Sequence, residues 1–315
     1  MNKHLFKNNT NLYIRISFSI LIFVFSLYIL PFYQLGDQYY YNFYYTYIGY
    51  LDNFDGIKCW SQYEISTGEP IYIFLSWLFS KIGVSHVVFI SLSNAILTWI
   101  IISIMQLKRF NTHIIILLLL LLNFYFMMFL FSAERLKFAM IFVMLYILYK
   151  EYRYSKFFLL LAMLSHFQII IGYVSYLIKE FIFHRKKLNW FLILLMISLI
   201  YLFLGDSIYN KAYYYISRYD HNINVLYKSF VFCSLAVYYS DKKKETMILF
   251  IPLFIAIYLL SGDRLNVFAY LIFLYYALPV NRGLNVGIIT TSIYFLYKLI
   301  GFLNNIIIYG DGFYR

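Results

Sequence analysis

Apolar runs long enough to cross a bilayer recur through almost the whole of this chain, with only short polar segments between them. A transmembrane helix needs roughly 17 to 25 apolar residues. Candidate spans lie at 16–33, 85–107, 114–131, 136–149, 188–204, 225–240, 246–260, 265–280 and 284–302. Composition agrees with that pattern: of 315 residues, 63% are hydrophobic and only 13% charged, and the mean hydropathy is +0.71. These values place the chain among integral membrane proteins. Four prolines, thirteen glycines and no Ser- or Gly-rich linker mark no boundary, so residues 1–315 are read as a single membrane domain. The first run lacks a small-residue cleavage site and is read as a retained anchor. The 36 tyrosines and 33 phenylalanines fit aromatic belts at the two membrane interfaces.

Two regions depart from simple counting. "PIYIFLSWLFSKIG" at 70–83 is too short to span and places proline at a helix N1 position, which predicts a re-entrant or interfacial half-helix. "FFLLLAMLSHFQIIIGYVSYLI" at 157–178 is long enough for one span but has a basic cluster on each side, Lys150, Arg153 and Lys156 before it and Lys179, Arg185, Lys186 and Lys187 after it. One crossing would export one cluster, against the positive-inside rule. Two short helices folded back at Ser165 and His166 keep both inside and put His166 at an outer-facing turn. Sixteen basic residues and four acids then fall on the cytoplasmic side, which carries the whole formal charge of +12. In a membrane chain that charge marks orientation, and no nucleic-acid partner is expected. The result is an all-α polytopic bundle with about eleven crossings plus one short re-entrant or interfacial helix. Its N-terminus is cytoplasmic, and 34–69 and 205–224 are the main outer loops.

Ionisable groups at the membrane are expensive, so each is a functional candidate. On the outer side these are Asp37, Glu69, Glu134, Arg135, His166, Arg218, Asp220, His221, Asp263 and Arg264. Two stretches nearly repeat, "SAERL" at 132–136 and "SGDRL" at 261–265. Ser132 and Ser261 read as N-caps, and Glu134 and Asp263 suit the positive end of a helix and sit where they could pair with the neighbouring arginines. Arg135 and Arg264 meet that end unfavourably, and an anion would offset this. Arginine offers a planar fork of donors matched to phosphate, and a helix N-terminus adds backbone N–H groups. Two such ends facing one pocket would bind a pyrophosphate, and in a bacterial envelope its evident bearer is a polyprenyl-linked sugar. His86 and His113, beside span ends, read as interfacial. Cys59 and Cys233 have neither metal-like spacing nor an evident partner. No G-x-x-x-x-G-K-[ST], H-E-x-x-H, D-x-D, paired C-x-x-C or G-x-S-x-G pattern is present, so nothing in the chain calls for a cofactor or a metal.

Taken in order, G-D-x-Y with Asp37, E-P with Glu69 and Pro70, Arg135 opening a mid-chain span, His166 in a short apolar hairpin and Arg264 opening a late span form a set. Over about 35–280 this set resembles the EpsG-like group of Wzy-type polysaccharide polymerases. The chain departs from the group at Leu136, where glutamine is frequent, and at Gln168, where a small residue is usual.

The resemblance implies a GT-C-like glycosyltransferase of the bacterial inner membrane. Such an enzyme joins undecaprenyl-pyrophosphate-linked oligosaccharide donor and acceptor units in the periplasm, with a chain-length regulator and a flippase as partners. In that chemistry Arg135 and Arg264 stabilise the departing pyrophosphate. A base, Asp37 or Glu69 ahead of His166, removes the acceptor proton, and Tyr39, Tyr41, Tyr44 and Tyr213 are candidates to stack on sugar faces. A ligase moving finished chains onto lipid A core shares the donor chemistry, and a non-enzymatic transporter of lipid-linked sugar is the rival from another class.

Overall fold

The computed structural model describes residues 9–184, 198, 209, 213, 223–260 and 265–314. Among these residues the protein is all-α. It parts into two compact units, Met1–His166 with Thr291–Arg315, and Phe167–Thr290.

The first unit is built on α1 (Asn9–Ile29) and α5 (His86–Met105), which pack along one another. Arg15 Nε donates to Gln106 Oε1 at 2.7 Å and Asn94 Nδ2 donates to Ser26 Oγ at 2.9 Å, so the two helices run antiparallel. α8 (Glu134–Leu148) also packs on α5, and α9 (Ser155–Ser165) returns along α8. His166, the C-cap of α9, is thereby brought back towards the start of α8. Between α1 and α5 the stretch 34–69, expected as an outer loop, folds into α2 (Asp37–Ile48) and α3 (Phe54–Ile65), and the short helix expected at 70–83 is present as α4 (Pro70–Lys81); the three pack mutually, with α4 also against α9.

Local sequence explains most of these boundaries. Gly36 opens α2 at φ +63°, a conformation open to glycine, and a Cβ there would lie 3.1 Å from the Asp311 carboxylate. Leu35 N–H also donates to Gly310 O at 2.8 Å, so the chain's end holds the turn that delivers Asp37. Pro70 occupies N1 of α4, where its missing N–H costs nothing.

The 114–131 run is not one straight helix. It breaks into α6 (Ile114–Leu121) and α7 (Phe124–Phe131), bent by 51°. The cause is Asn123, whose Oδ1 accepts the Tyr125 N–H at 2.9 Å and so starts a new helix inside an apolar run. Ser132 is likewise not an N-cap. It closes α7, and Ala133, which caps nothing with its side chain, precedes α8.

The second unit contains α10 (Ile169–His184), α11 (Tyr227–Tyr239), α12 (Lys243–Leu260) and α13 (Asn266–Ala277). α12 packs on α10 and α11, and α11 packs on α13. The last helix, α14 (Val286–Tyr309), begins there and continues into the first unit. The expected break in 157–178 is present, with one helix ending at Ser165 and the next starting at Ile169. The expected span at 188–204 and most of the 205–224 loop lie outside the described residues.

Among the described residues three helices are long and apolar enough to cross a membrane: Asn11–Phe32, His86–Met105 and Val280–Tyr309; the bent α6–α7 pair makes a fourth if taken as one span. α1 carries Ile20, Leu21, Val24 and Tyr28 on its surface, each more than half exposed, the apolar exterior that lipid would cover. α8, with fifteen residues, reaches only about 22 Å, short of a hydrocarbon core of ~30 Å.

Candidate functional site

Three of the residues singled out from the sequence meet at one buried point. Glu69 precedes α4 in extended backbone, and its side chain does not cap that helix. It turns inward instead and is fully buried. Oε2 accepts from Thr67 Oγ1 at 2.8 Å and from Arg135 Nη1 at 3.2 Å, and Oε1 lies 2.5 Å from His166 Nδ1. That last contact holds one proton between carboxylate and imidazole. Arg135 is in the first turn of α8, and its other contact is Nε donating to the Tyr41 hydroxyl at 3.0 Å. Residues from α2, the α3–α4 turn, α8 and the end of α9 thus build one cluster, and burial of its charges is compensated by pairing and hydrogen bonds.

A second acid–histidine pair lies beside the first. Glu134 does not pair with its neighbour Arg135. It is fully buried, accepts the Tyr72 hydroxyl at 2.9 Å and faces His86 Nε2 at 3.1 Å. His86 is therefore not an interfacial residue but a buried partner, 8% exposed. The rings of Tyr41 and Tyr72 stand edge to face between the two pairs, centroids 6.1 Å apart.

One turn further along α8, Lys137 is completely buried. Its ammonium donates to Asn94 Oδ1 at 2.7 Å and to Leu130 O at 3.4 Å. Gln38 Nε2 donates to Phe131 O at 2.7 Å. Both therefore satisfy carbonyls at the C-terminal end of α7, which has no helical partners for them.

The other sequence candidates separate by position. Asp37 opens α2 and is half-buried. Tyr39 is 55% exposed and offers a ring to solvent. Tyr41 and Tyr44 are buried, with Tyr44 stacked on Tyr72 at 6.3 Å and bonded to Ser61 at 3.1 Å, so neither ring is an open platform for a sugar. Tyr213 is exposed. Arg264, with Arg218, Asp220, His221, Ser261 and Asp263, lies outside the described residues. Burial, opposed by the Arg135 charge, raises the Tyr41 phenol above its ordinary pKa, so it keeps its proton.

Lys137, Tyr72 and Thr67 were not among the residues singled out. A lysine inside an apolar run was a readable signal for the first. Tyr72 and Thr67 had none, because a tyrosine or threonine near a helix start is ordinary until its partner is known.

Compared with models of protein families, with curated proteins and with solved structures, the chain matches none. The class of protein that fold and composition define is an all-α protein with helices long and apolar enough to span a membrane.

Proposed function

We propose that the protein is a glycosyltransferase of the bacterial inner membrane that joins undecaprenyl-pyrophosphate-linked oligosaccharide repeat units at the periplasmic face, building an O-antigen, capsule or exopolysaccharide. In this reading it is a GT-C-like bundle of about eleven crossings with its N-terminus in the cytoplasm. The observation that carries it is the convergence of Glu69, Arg135 and His166 from three distant parts of the chain at one buried point. Transfer of a sugar from a pyrophosphate carrier needs a cation where the leaving group gains charge and a base where the acceptor loses its proton, and this cluster holds both.

The chemistry follows from the contacts. The acceptor hydroxyl attacks the anomeric carbon, and the bond to pyrophosphate breaks with its electrons passing to the phosphate oxygen. Arg135 stabilises that charge as the clamp on the leaving group. Both Glu69 oxygens are engaged, by Thr67 and Arg135 on one and His166 on the other. The carboxylate therefore acts with His166 as a pair in removing the acceptor proton, and Asp37, at the start of α2, would orient the acceptor.

Arg135→Ala should abolish long polymer at normal protein level, since losing one such charge-assisted contact costs about 3 kcal/mol, or roughly a hundredfold in rate. Arg135→Lys should rescue poorly, because lysine keeps charge but loses the planar fork of donors. Polymer length in a deletion strain carrying each variant reads the result. Normal polymer from the lysine variant would remove the clamp, and a deletion strain whose core carries no repeat unit at all, in place of one, would point to ligation.

A further inference from the structure

Arg135 is held at two of its nitrogens. Nε donates to Tyr41 and Nη1 to Glu69, which leaves both N–H groups of Nη2 without an acceptor among the described residues. Tyr41 is placed to match. Its oxygen accepts from Arg135, while its own O–H proton meets no acceptor among the described residues. A phenol can accept and donate together. The ring is 5% exposed and packed edge-on to Tyr72, so what Tyr41 can present to a ligand is its hydroxyl rather than its face. An uncommitted O–H beside uncommitted guanidinium N–H groups suits an anionic oxygen.

We infer that Tyr41 is a catalytic residue whose O–H donates a hydrogen bond to the leaving phosphate beside Arg135 Nη2, an inference that rests on the proposed transfer. In the step, the acceptor oxygen bonds to the anomeric carbon as the carbon–oxygen bond to pyrophosphate breaks, and that bond's electron pair goes to the phosphate oxygen. The acceptor's proton passes to the Glu69–His166 pair. Tyr41 keeps its own proton and shares it more strongly as the oxygen gains charge.

The test uses full-length protein in nanodiscs and undecaprenyl pyrophosphate as the probe. Tyr41→Phe preserves the ring and its packing, and should weaken probe binding about tenfold, which corresponds to ~1.4 kcal/mol. Tyr63→Phe, at an exposed position, should change nothing. Because the phenylalanine variant also frees Arg135 Nε, a second series separates donation from positioning. Fluorotyrosine and difluorotyrosine at position 41 make the phenol a better donor and a poorer acceptor. Affinity that rises along the series is expected if Tyr41 donates to the anion. A flat or falling series, or equal affinity of wild type and Tyr41→Phe, overturns the role of Tyr41 and leaves the proposed transfer standing. Wild-type protein that binds no probe overturns both.

Discussion

At the scale of single residues, the start of α8 holds three charges with three different tasks. Arg135 points to Glu69, Glu134 to His86 and Tyr72, and Lys137 to Asn94 and the end of α7. Successive helical positions face about 100° apart, so Glu134 and Arg135 turn to different partners on other elements, whereas Lys137, three positions after Glu134, lies on the same face as Glu134. Glu134 is consequently far more than a cap. Glu134→Ala should destabilise the protein by about 3–5 kcal/mol, because it strands His86 beside a buried gap. Thermal unfolding in detergent checks this. Lys137→Met should cost less than Glu134→Ala in the same assay, since methionine matches the stem and removes the buried charge along with its bonds. Glu69→Gln should fold but lose polymer, because an amide keeps hydrogen bonds and cannot hold a proton against His166; the readout is polymer length at equal protein level.

At the scale of elements, polar residues inside apolar runs decide where helices begin. Asn123 stops one helix and starts the next, and Asn123→Ala should cost about 1 kcal/mol by the same unfolding measurement. Gly36→Ala should cost more than about 1 kcal/mol, since the positive φ and the nearby Asp311 both resist a methyl group. Legibility at this scale was uneven. Pro70 at N1 and the break at His166 were readable, because proline and the flanking charge pattern act locally. The split at Asn123 and the role of Ser132 were not. An asparagine or serine beside a hydrophobic run can cap the helix before it or after it, and packing chooses.

At the scale of the whole molecule, Arg15 and Gln106 mark one end of the α1–α5 pair, while His86, at the start of α5, meets Glu134 at the other. On the proposed orientation the first end is cytoplasmic. Cysteine at Gln62, exposed on α3, should react with an impermeant maleimide in intact spheroplasts. A reporter fused after Lys187 should be inactive in the periplasm. Labelling only after lysis would overturn this topology, and an active periplasmic fusion would make 157–178 a single crossing.

The sequence alone determined the helical class, the spans at 16–33, 85–107 and 284–302 and several of the charges that deserved notice, because burying apolar surface and satisfying the backbone are local demands repeated along the chain. Pairing was decided only by tertiary structure. Arg135 and His166 lie 66 and 97 residues along the sequence from Glu69, the acid they share. A carboxylate cannot announce which of several cations it will face, and that choice belongs to the packing of α4, α8 and α9.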